Sequence, residues 1–82
     1  MKLVKIHWHD AQTGSRWIGR KQVGDLKLPL IETVGKLLRE TEDMYIVSHT
    51  VDIEEEGDDV DWTMGYVIVP KGMTTKFEVL AE

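Results

Sequence analysis

The sequence predicts a small all-β domain of the barrel or sandwich class. Its 82 residues suffice for one domain, because a chain of this length buries only about 60 to 65% of its unfolded surface. Runs rich in β-branched and aromatic side chains recur along the chain, and turn-forming residues separate them at short intervals. The sequence has no cysteine, so neither disulfides nor thiolate metal sites can supplement the core. Oligomerisation is the usual remaining support for a core this small.

The N-terminal part predicts one clear strand and then an irregular region. Residues 3–9 (LVKIHWH) roughly alternate in polarity, and the following DAQTGS is typical of a turn. Residues 16–18 predict a short return strand, and residues 19–25 predict a loop. Trp8 and Trp62 are expected to fill the core or an interface, as large aromatic side chains do in small barrels.

Local signals leave both helix and strand open for residues 30–40 (LIETVGKLLRE). The apolar positions fit an amphipathic helix that follows Pro29. Against a helix, Gly35 costs about 1 kcal/mol relative to alanine, and no clear capping residue precedes Pro29. In a strand, Gly35 would mark a sharp bend or bulge. The helical alternative would give an α+β domain that forms no ring.

Residues 41–79 predict three strands and one acidic connection. Residues 41–43 are expected to turn into a strand over residues 44–51, followed by a long strand over 62–69 and an alternating strand over 75–79. Residues 52–61 contain seven acidic residues and no basic one, and predict an exposed connection. The rest of the chain has ten basic and eight acidic residues, so the net charge of −5 belongs to this segment.

The stretch Pro70-Lys71-Gly72-Met73 predicts a short turn between the last two strands. Proline would end the first ladder by removing a donor, and Gly72 would permit a positive φ where the chain reverses. The side chain of Lys71 would then project from the tip of the turn.

The motifs of residues 30–80 resemble those of the Sm-like family. VGKLL followed by EDMYIV is similar to the family's first motif, a bent strand, an Asp-containing turn and a third strand. An apolar strand that runs into Lys71-Gly72 and then a short alternating strand is similar to its second motif. The resemblance implies that residues 30–40 are a strand. It also implies that residues 1–82 form one strongly bent, five-stranded antiparallel SH3-like barrel.

Three shorter stretches, WHD, VGKL and VPK, also resemble small bacteriophage proteins, which implies a phage or phage-derived origin. Sm-like subunits pair the fourth strand of one copy with the fifth strand of the next. The resemblance therefore implies a homo-oligomeric ring of about five to seven copies. Both motif turns would then line a central opening.

The resemblance implies that this ring binds RNA or single-stranded nucleic acid. Tyr45 falls where the family often has a base-stacking side chain, and Lys71 with Gly72 falls where it contacts phosphate or base. Asp43 lies in the turn of the first motif. Ile46 stands where the family has a base-reading asparagine, and the chain begins with a strand instead of a helix. Binding without strong sequence preference is the expectation that follows.

A second reading is a phage structural or assembly scaffold that has no nucleic-acid ligand and meets a protein partner at the acidic segment. No catalytic set, phosphate-binding glycine loop or cofactor motif is present, so we predict no enzyme and no cofactor. His7, His9, Asp10 and His49 allow a metal site, although a His-x-His pair on a strand more often has no metal. No run approaches the ~20 apolar residues of a membrane span, so we expect a soluble, cytoplasmic protein.

Overall fold

The computed structural model describes residues 1–11, 13–15, 17–51 and 63–82. The elements in chain order are β1 (Leu3–His9), α1 (Arg20–Val23), β2 (Leu30–Glu40), β3 (Met44–Ser48), β4 (Thr50–Val51), β5 (Thr63–Met64), β6 (Val67–Pro70), a 3₁₀ turn (Lys71–Met73) and β7 (Thr74–Ala81). Five strands form one antiparallel sheet in the order β6-β3-β2-β1-β7, and β4 pairs with β5. The all-β fold class is confirmed. The predicted acidic connection and Trp62 lie outside the described residues.

The centre of the core is one face of β1. Val4, Ile6 and Trp8 alternate along this strand and are 0%, 0% and 7% exposed. They pack with Val47 of β3 and Val69 of β6. The predicted core position of Trp8 is confirmed. Its indole N–H donates to the Thr33 hydroxyl at 3.0 Å, so the buried donor has a partner.

Residues 30–40 are a strand, as the family resemblance implied, and the helical alternative is wrong. The first part of β2, residues 30–36, pairs with β1, whereas residues 36–40 pair with β3. Gly35 lies beside this change of partner and is buried. A Cβ atom there would lie 2.6 Å from the Ser48 carbonyl oxygen and 2.8 Å from Val47 Cγ1. Gly35 therefore permits a close backbone approach, while the bulge itself lies between Leu37 and Arg39.

The sheet curves so strongly that non-adjacent strands touch. In a flat sheet β3 and β7 would lie about 14 Å apart, because β2 and β1 separate them at about 4.8 Å per step. The ring centroids of Tyr45 on β3 and Phe77 on β7 are nevertheless 4.5 Å apart. In the part of the chain that the structure describes, no pairing joins β6 to β7, so the sheet has two open edges.

Four local predictions are wrong in whole or in part. Trp17 and Ile18 lie in no strand, and residues 19–25 contain α1 rather than only a loop. β1 already pairs with β2 on one side and β7 on the other, so no edge is left for a return strand. The predicted long strand over 62–69 is broken at Gly65, whose φ of +76° is inexpensive only for glycine. Likewise His49 interrupts the predicted strand over 44–51.

Gly35→Ala should lower the free energy of unfolding by about 2 kcal/mol or more, because the new methyl group meets a backbone carbonyl that cannot rotate away. Gly72→Ala is the matched control, since its Cβ would meet nothing within 4 Å. We expect the control to change stability by less than about 0.5 kcal/mol. Urea unfolding at one fixed protein concentration measures both, and equal effects would contradict the proposed close approach.

Candidate functional site

The four predicted site residues lie together at one end of the β3–β6 pair. Asp43 precedes β3, Tyr45 lies on it, and Lys71 and Gly72 lie in the 3₁₀ turn that follows β6. The antiparallel register places Tyr45 opposite Val69, and the backbone N–H of Lys71 donates to the Asp43 carbonyl at 2.8 Å. Backbone pairing thus brings two turns that are distant in sequence into contact. We call these four residues the β3–β6 site.

Thr41 shapes the first of these turns. Its hydroxyl accepts hydrogen bonds from the backbone N–H groups of Asp43 and Met44, at 3.3 and 3.2 Å. Its own N–H donates to the Met44 carbonyl at 2.9 Å. Threonine hydroxyls stabilise turns in this way, so the tight turn predicted over residues 41–43 is confirmed. Asp43 contributes its backbone to the β3–β6 site, as acceptor for Lys71.

The side chain of Lys71 does not project from the turn, so that prediction is wrong. Its Nζ lies 2.6 Å from Glu40 Oε2 and 5.0 Å from the centroid of the Tyr45 ring. Glu40 is the register partner of Tyr45 across β2 and β3, which places its carboxylate within reach. The hydrogen bond to Glu40 raises the pKa of Lys71, because it favours the charged form of the amine. The side chain is 29% exposed.

Tyr45 already has an aromatic partner. Its ring stacks on Phe77 with 14° between the planes, and both side chains are half-buried against the core. A stacked pair at this separation contributes about 0.5 to 1.5 kcal/mol beyond area burial. Tyr45 therefore holds the curved sheet together, and a nucleobase would have to share its ring with Phe77 and Lys71.

Sequence reasoning missed Glu40 and Phe77 as members of this cluster. No sequence motif pointed to Glu40, and Phe77 was expected only as one position of an alternating strand. The alternation of Phe77 indicated an inward side chain, but only the curvature of the sheet brings it to Tyr45. No local pattern signals the contact of Lys71 with Glu40, because 31 residues separate them.

The proline and the glycine of the second turn act differently from the prediction. Lys71 and Asp43 form a hydrogen-bonded pair, and such pairs alternate along an antiparallel ladder. The backbone nitrogen of Pro70 and the N–H of Ile68 therefore point away from β3, towards the open edge. Pro70 leaves the β3–β6 ladder intact and removes a donor from that edge. Gly72 has no positive φ, so glycine is not required there.

The charge around the β3–β6 site is mixed. Glu40, Glu42 and Asp43 accompany Lys71 and Arg39, so the acidic side chains outnumber the basic ones along these turns.

On β1, the His7 imidazole donates to the Glu32 carboxylate at 2.9 Å and lowers the pKa of Glu32. Among the described residues, no group of three or more His, Asp or Glu side chains could hold a metal ion. Within the same ranges, no helix has the length and apolar character needed to cross a membrane.

The contact between Tyr45 and Phe77 should be measurable as a coupling energy. We expect a double-mutant cycle of Tyr45→Leu and Phe77→Leu to give about 1 kcal/mol of coupling in the free energy of unfolding. The matched control is a cycle of Tyr45→Leu with Val79→Leu, because Val79 lies on the same strand and is exposed. Coupling near zero in the first cycle would indicate that the sheet does not curl as described.

A scan against protein-family models, a search among curated proteins and a search among solved structures each find no match to this chain. The comparisons therefore provide no family for it. What bears on function is the open-edged sheet, the β3–β6 site and the two motifs that resemble the Sm-like family.

Proposed function

We propose that this chain is the subunit of a homo-oligomeric ring of the Sm-like type, of phage or phage-derived origin, that binds RNA or single-stranded nucleic acid. Its five-stranded sheet acts as a bent small barrel whose free edges pair between neighbouring copies. One observation carries the proposal: β6 and β7, the strands that correspond to the family's fourth and fifth, are the two edges of the sheet.

The edge formed by β6 has the chemistry for strand addition. The N–H and C=O groups of Ile68 point outward, because Val69 and Lys71 form the hydrogen-bonded pairs with β3. Ile68 and Tyr66 are 48% and 65% exposed, and no charged residue lies within Val67–Pro70. An uncharged edge with free donors and acceptors is a template for another strand. Pro70 limits the length over which a partner can pair.

Lys71 supports the choice of an anionic ligand. The Lys71 ammonium lies beside the Tyr45 ring, so each copy would place a cation next to an aromatic side chain. When every subunit of a ring presents this weak contact, a ligand bound at one site meets the next site at a high effective concentration, and its overall affinity rises. Mixed local charge and the isoleucine at position 46 fit binding with little sequence preference.

A second candidate function is a scaffold that has no nucleic-acid ligand. The observation that favours it is the state of the β3–β6 site, where Glu40 already binds Lys71 and Phe77 already stacks on Tyr45. In this case the cluster serves folding alone, and the ring holds protein partners. The two candidate functions can be separated by measuring the nucleic-acid affinity of Lys71→Ala and Glu40→Gln, because a nucleic-acid-binding ring predicts a lower affinity for the first variant and a higher affinity for the second.

Ile68→Pro should prevent assembly and leave the subunit folded. The substitution removes an outward N–H and keeps the β3–β6 ladder, as Pro70 already does two residues later. We expect sedimentation to show a monomer and circular dichroism to keep the β signal. Ile68→Lys, which adds a charge to the same edge, should weaken assembly as well. A variant with the mass of the wild-type oligomer would contradict edge pairing.

Lys71→Ala should weaken binding of an oligouridine, and Glu40→Gln should strengthen it by releasing the cation. The slope of log affinity against log salt should fall by about 0.7 for each Lys71 that contacts a phosphate. Lys76→Ala is the charge-matched control, because Lys76 lies on β7 and pairs with Glu78. Binding that responds equally to Lys71→Ala and to the control would remove Lys71 from the interface and favour the scaffold.

A further inference from the structure

The connection between β1 and β2 carries side chains that lie outside the core. We call residues 13–28 the β1–β2 arm. Its base is closed by a hydrogen bond from the Asp10 N–H to the Pro29 carbonyl at 3.1 Å. All of its described residues, 13–15 and 17–28, are exposed, and none of them belongs to the core cluster. The side chains of the arm are therefore available to a ligand.

The arm forms an open crevice that is large enough for a nucleobase. Its volume is about 800 Å³, and small-molecule sites typically measure roughly 300 to 1,000 Å³. Four apolar side chains line the crevice: Trp17, Ile18, Leu26 and Leu28. Its polar lining residues are Thr13, Ser15, Gln22 and Lys27. The crevice thus combines apolar walls with hydrogen-bonding groups and a cation.

Trp17 offers a free aromatic face to this crevice. Its side chain is 104% exposed, whereas Trp8 is 7% exposed within the core. Tyr45, the aromatic residue of the β3–β6 site, already stacks on Phe77. Aromatic side chains with a free face are the platforms on which proteins stack single-stranded bases. A base can therefore stack on Trp17 without displacing a partner within the subunit.

The cations of the arm are also free. Arg20, Lys21 and Lys27 are exposed and form no ion pair with any described residue. By contrast, the ammonium group of Lys71 is held by Glu40. Asp25 is the one acidic residue in the sequence of the arm. The arm therefore has an excess of positive charge, and a phosphate would bind there without competing against a carboxylate.

Gln22 provides a donor for the edge of a base. Its side-chain oxygen accepts a hydrogen bond from the Gly19 N–H at 3.0 Å, which orients the amide. The NH₂ group of that amide keeps its two donors. The hydroxyls of Thr13 and Ser15 line the same crevice and can each donate or accept. Groups of such mixed capacity suit more than one base, which agrees with binding that has little sequence preference.

This combination favours a single-stranded nucleic acid over a membrane surface. Interfacial membrane binding uses an apolar face that enters the lipid and a separate polar face. In the arm, apolar side chains instead line a crevice together with hydroxyl and amide groups. A nucleobase has the matching chemistry, because proteins enclose its faces between aromatic or apolar side chains and hydrogen-bond its edge. The phosphates on either side of the base would meet the free cations.

We propose that the β1–β2 arm is a single-stranded nucleic-acid contact, in which a base stacks on Trp17 in the crevice and the adjacent phosphates bind Lys21 and Lys27. The inference rests on the nucleic-acid ligand of the proposed function and adds a contact separate from the β3–β6 site. All its groups belong to one subunit, so the contact does not require the ring.

The first test is the affinity of the full-length protein for a fluorescein-labelled oligouridine, measured by anisotropy. Trp17→Leu should lower the affinity by about tenfold, because it removes a stacking platform. Trp17→Tyr is the matched control, since it keeps an aromatic face and should keep most of the affinity. Circular dichroism should be unchanged in both variants because residue 17 is exposed. Wild-type affinity in Trp17→Leu, or an equal loss in both variants, overturns the stacking contact.

An abasic oligonucleotide of the same length separates stacking from charge. It keeps the phosphates and has no bases, so the wild-type protein and Trp17→Leu should bind it equally. A loss of affinity in Trp17→Leu that persists with the abasic ligand would contradict base stacking.

The cations are tested by the salt dependence of oligouridine binding. Lys21→Ala combined with Lys27→Ala should lower the slope of log affinity against log salt by about 1.4, or about 0.7 for each lost phosphate contact. Lys2→Ala combined with Lys36→Ala is the charge-matched control, because these residues lie at the opposite end of β1 from the arm. Equal slopes in the two double variants would contradict phosphate binding by the arm.

These measurements separate the arm from the proposed function. If Lys71→Ala weakens oligouridine binding and the arm variants do not, the proposed function stands and the arm inference fails. If Trp17→Leu weakens binding even in the Ile68→Pro monomer, the arm inference stands without the ring. A wild-type protein that binds no oligouridine at low salt overturns both. Binding of anionic phospholipid vesicles through Trp17 in its place would make the arm a membrane contact, and the present proposal would be wrong.

Discussion

The close approach of β2 to the end of β3 at Gly35 determines the shape of this domain. One long strand pairs with β1 over its first half and with β3 over its second half, and the change of partner occurs next to a residue without a side chain. A methyl group would meet the Ser48 carbonyl at 2.6 Å, so a larger residue would force the two strands apart. The curl that follows encloses β1 and brings Tyr45 onto Phe77.

In this sheet the outer edges of β6 and β7 remain unpaired among the described residues. The core contains five buried apolar side chains in the described part of the chain, and three of them belong to β1. Such a core gives limited stability to a domain of this size. Pairing between copies would satisfy the backbone groups at the edges and add buried area. The same contact would therefore offset both the small core and the unpaired edges. Pro70 removes a donor from the β6 edge without interrupting the ladder behind it, so it limits how far a partner strand could pair along that edge.

Contacts within the subunit already occupy the β3–β6 site. The strand register places Glu40 beside Tyr45, and the carboxylate binds the Lys71 ammonium and raises its pKa. An incoming phosphate would have to compete with that carboxylate, while an incoming base would have to compete with Phe77. Both competitors lie within the subunit. Affinity for a polyanion would therefore depend on repetition of the site around an assembly and on the ionic strength.

The sequence alone determined β1, the last strand and the tight turn at Thr41, because periodicity and turn chemistry are local properties. It also indicated that Asp43, Tyr45 and Lys71 belong together, through motifs that resemble a known family. Tertiary structure decided everything that depends on curvature: strand over helix for residues 30–40, the Phe77 partner of Tyr45 and the Glu40 partner of Lys71. It also decided that Gly65, rather than Gly72, needs a positive φ. Those outcomes depend on contacts between residues far apart in the chain, which a local pattern cannot encode.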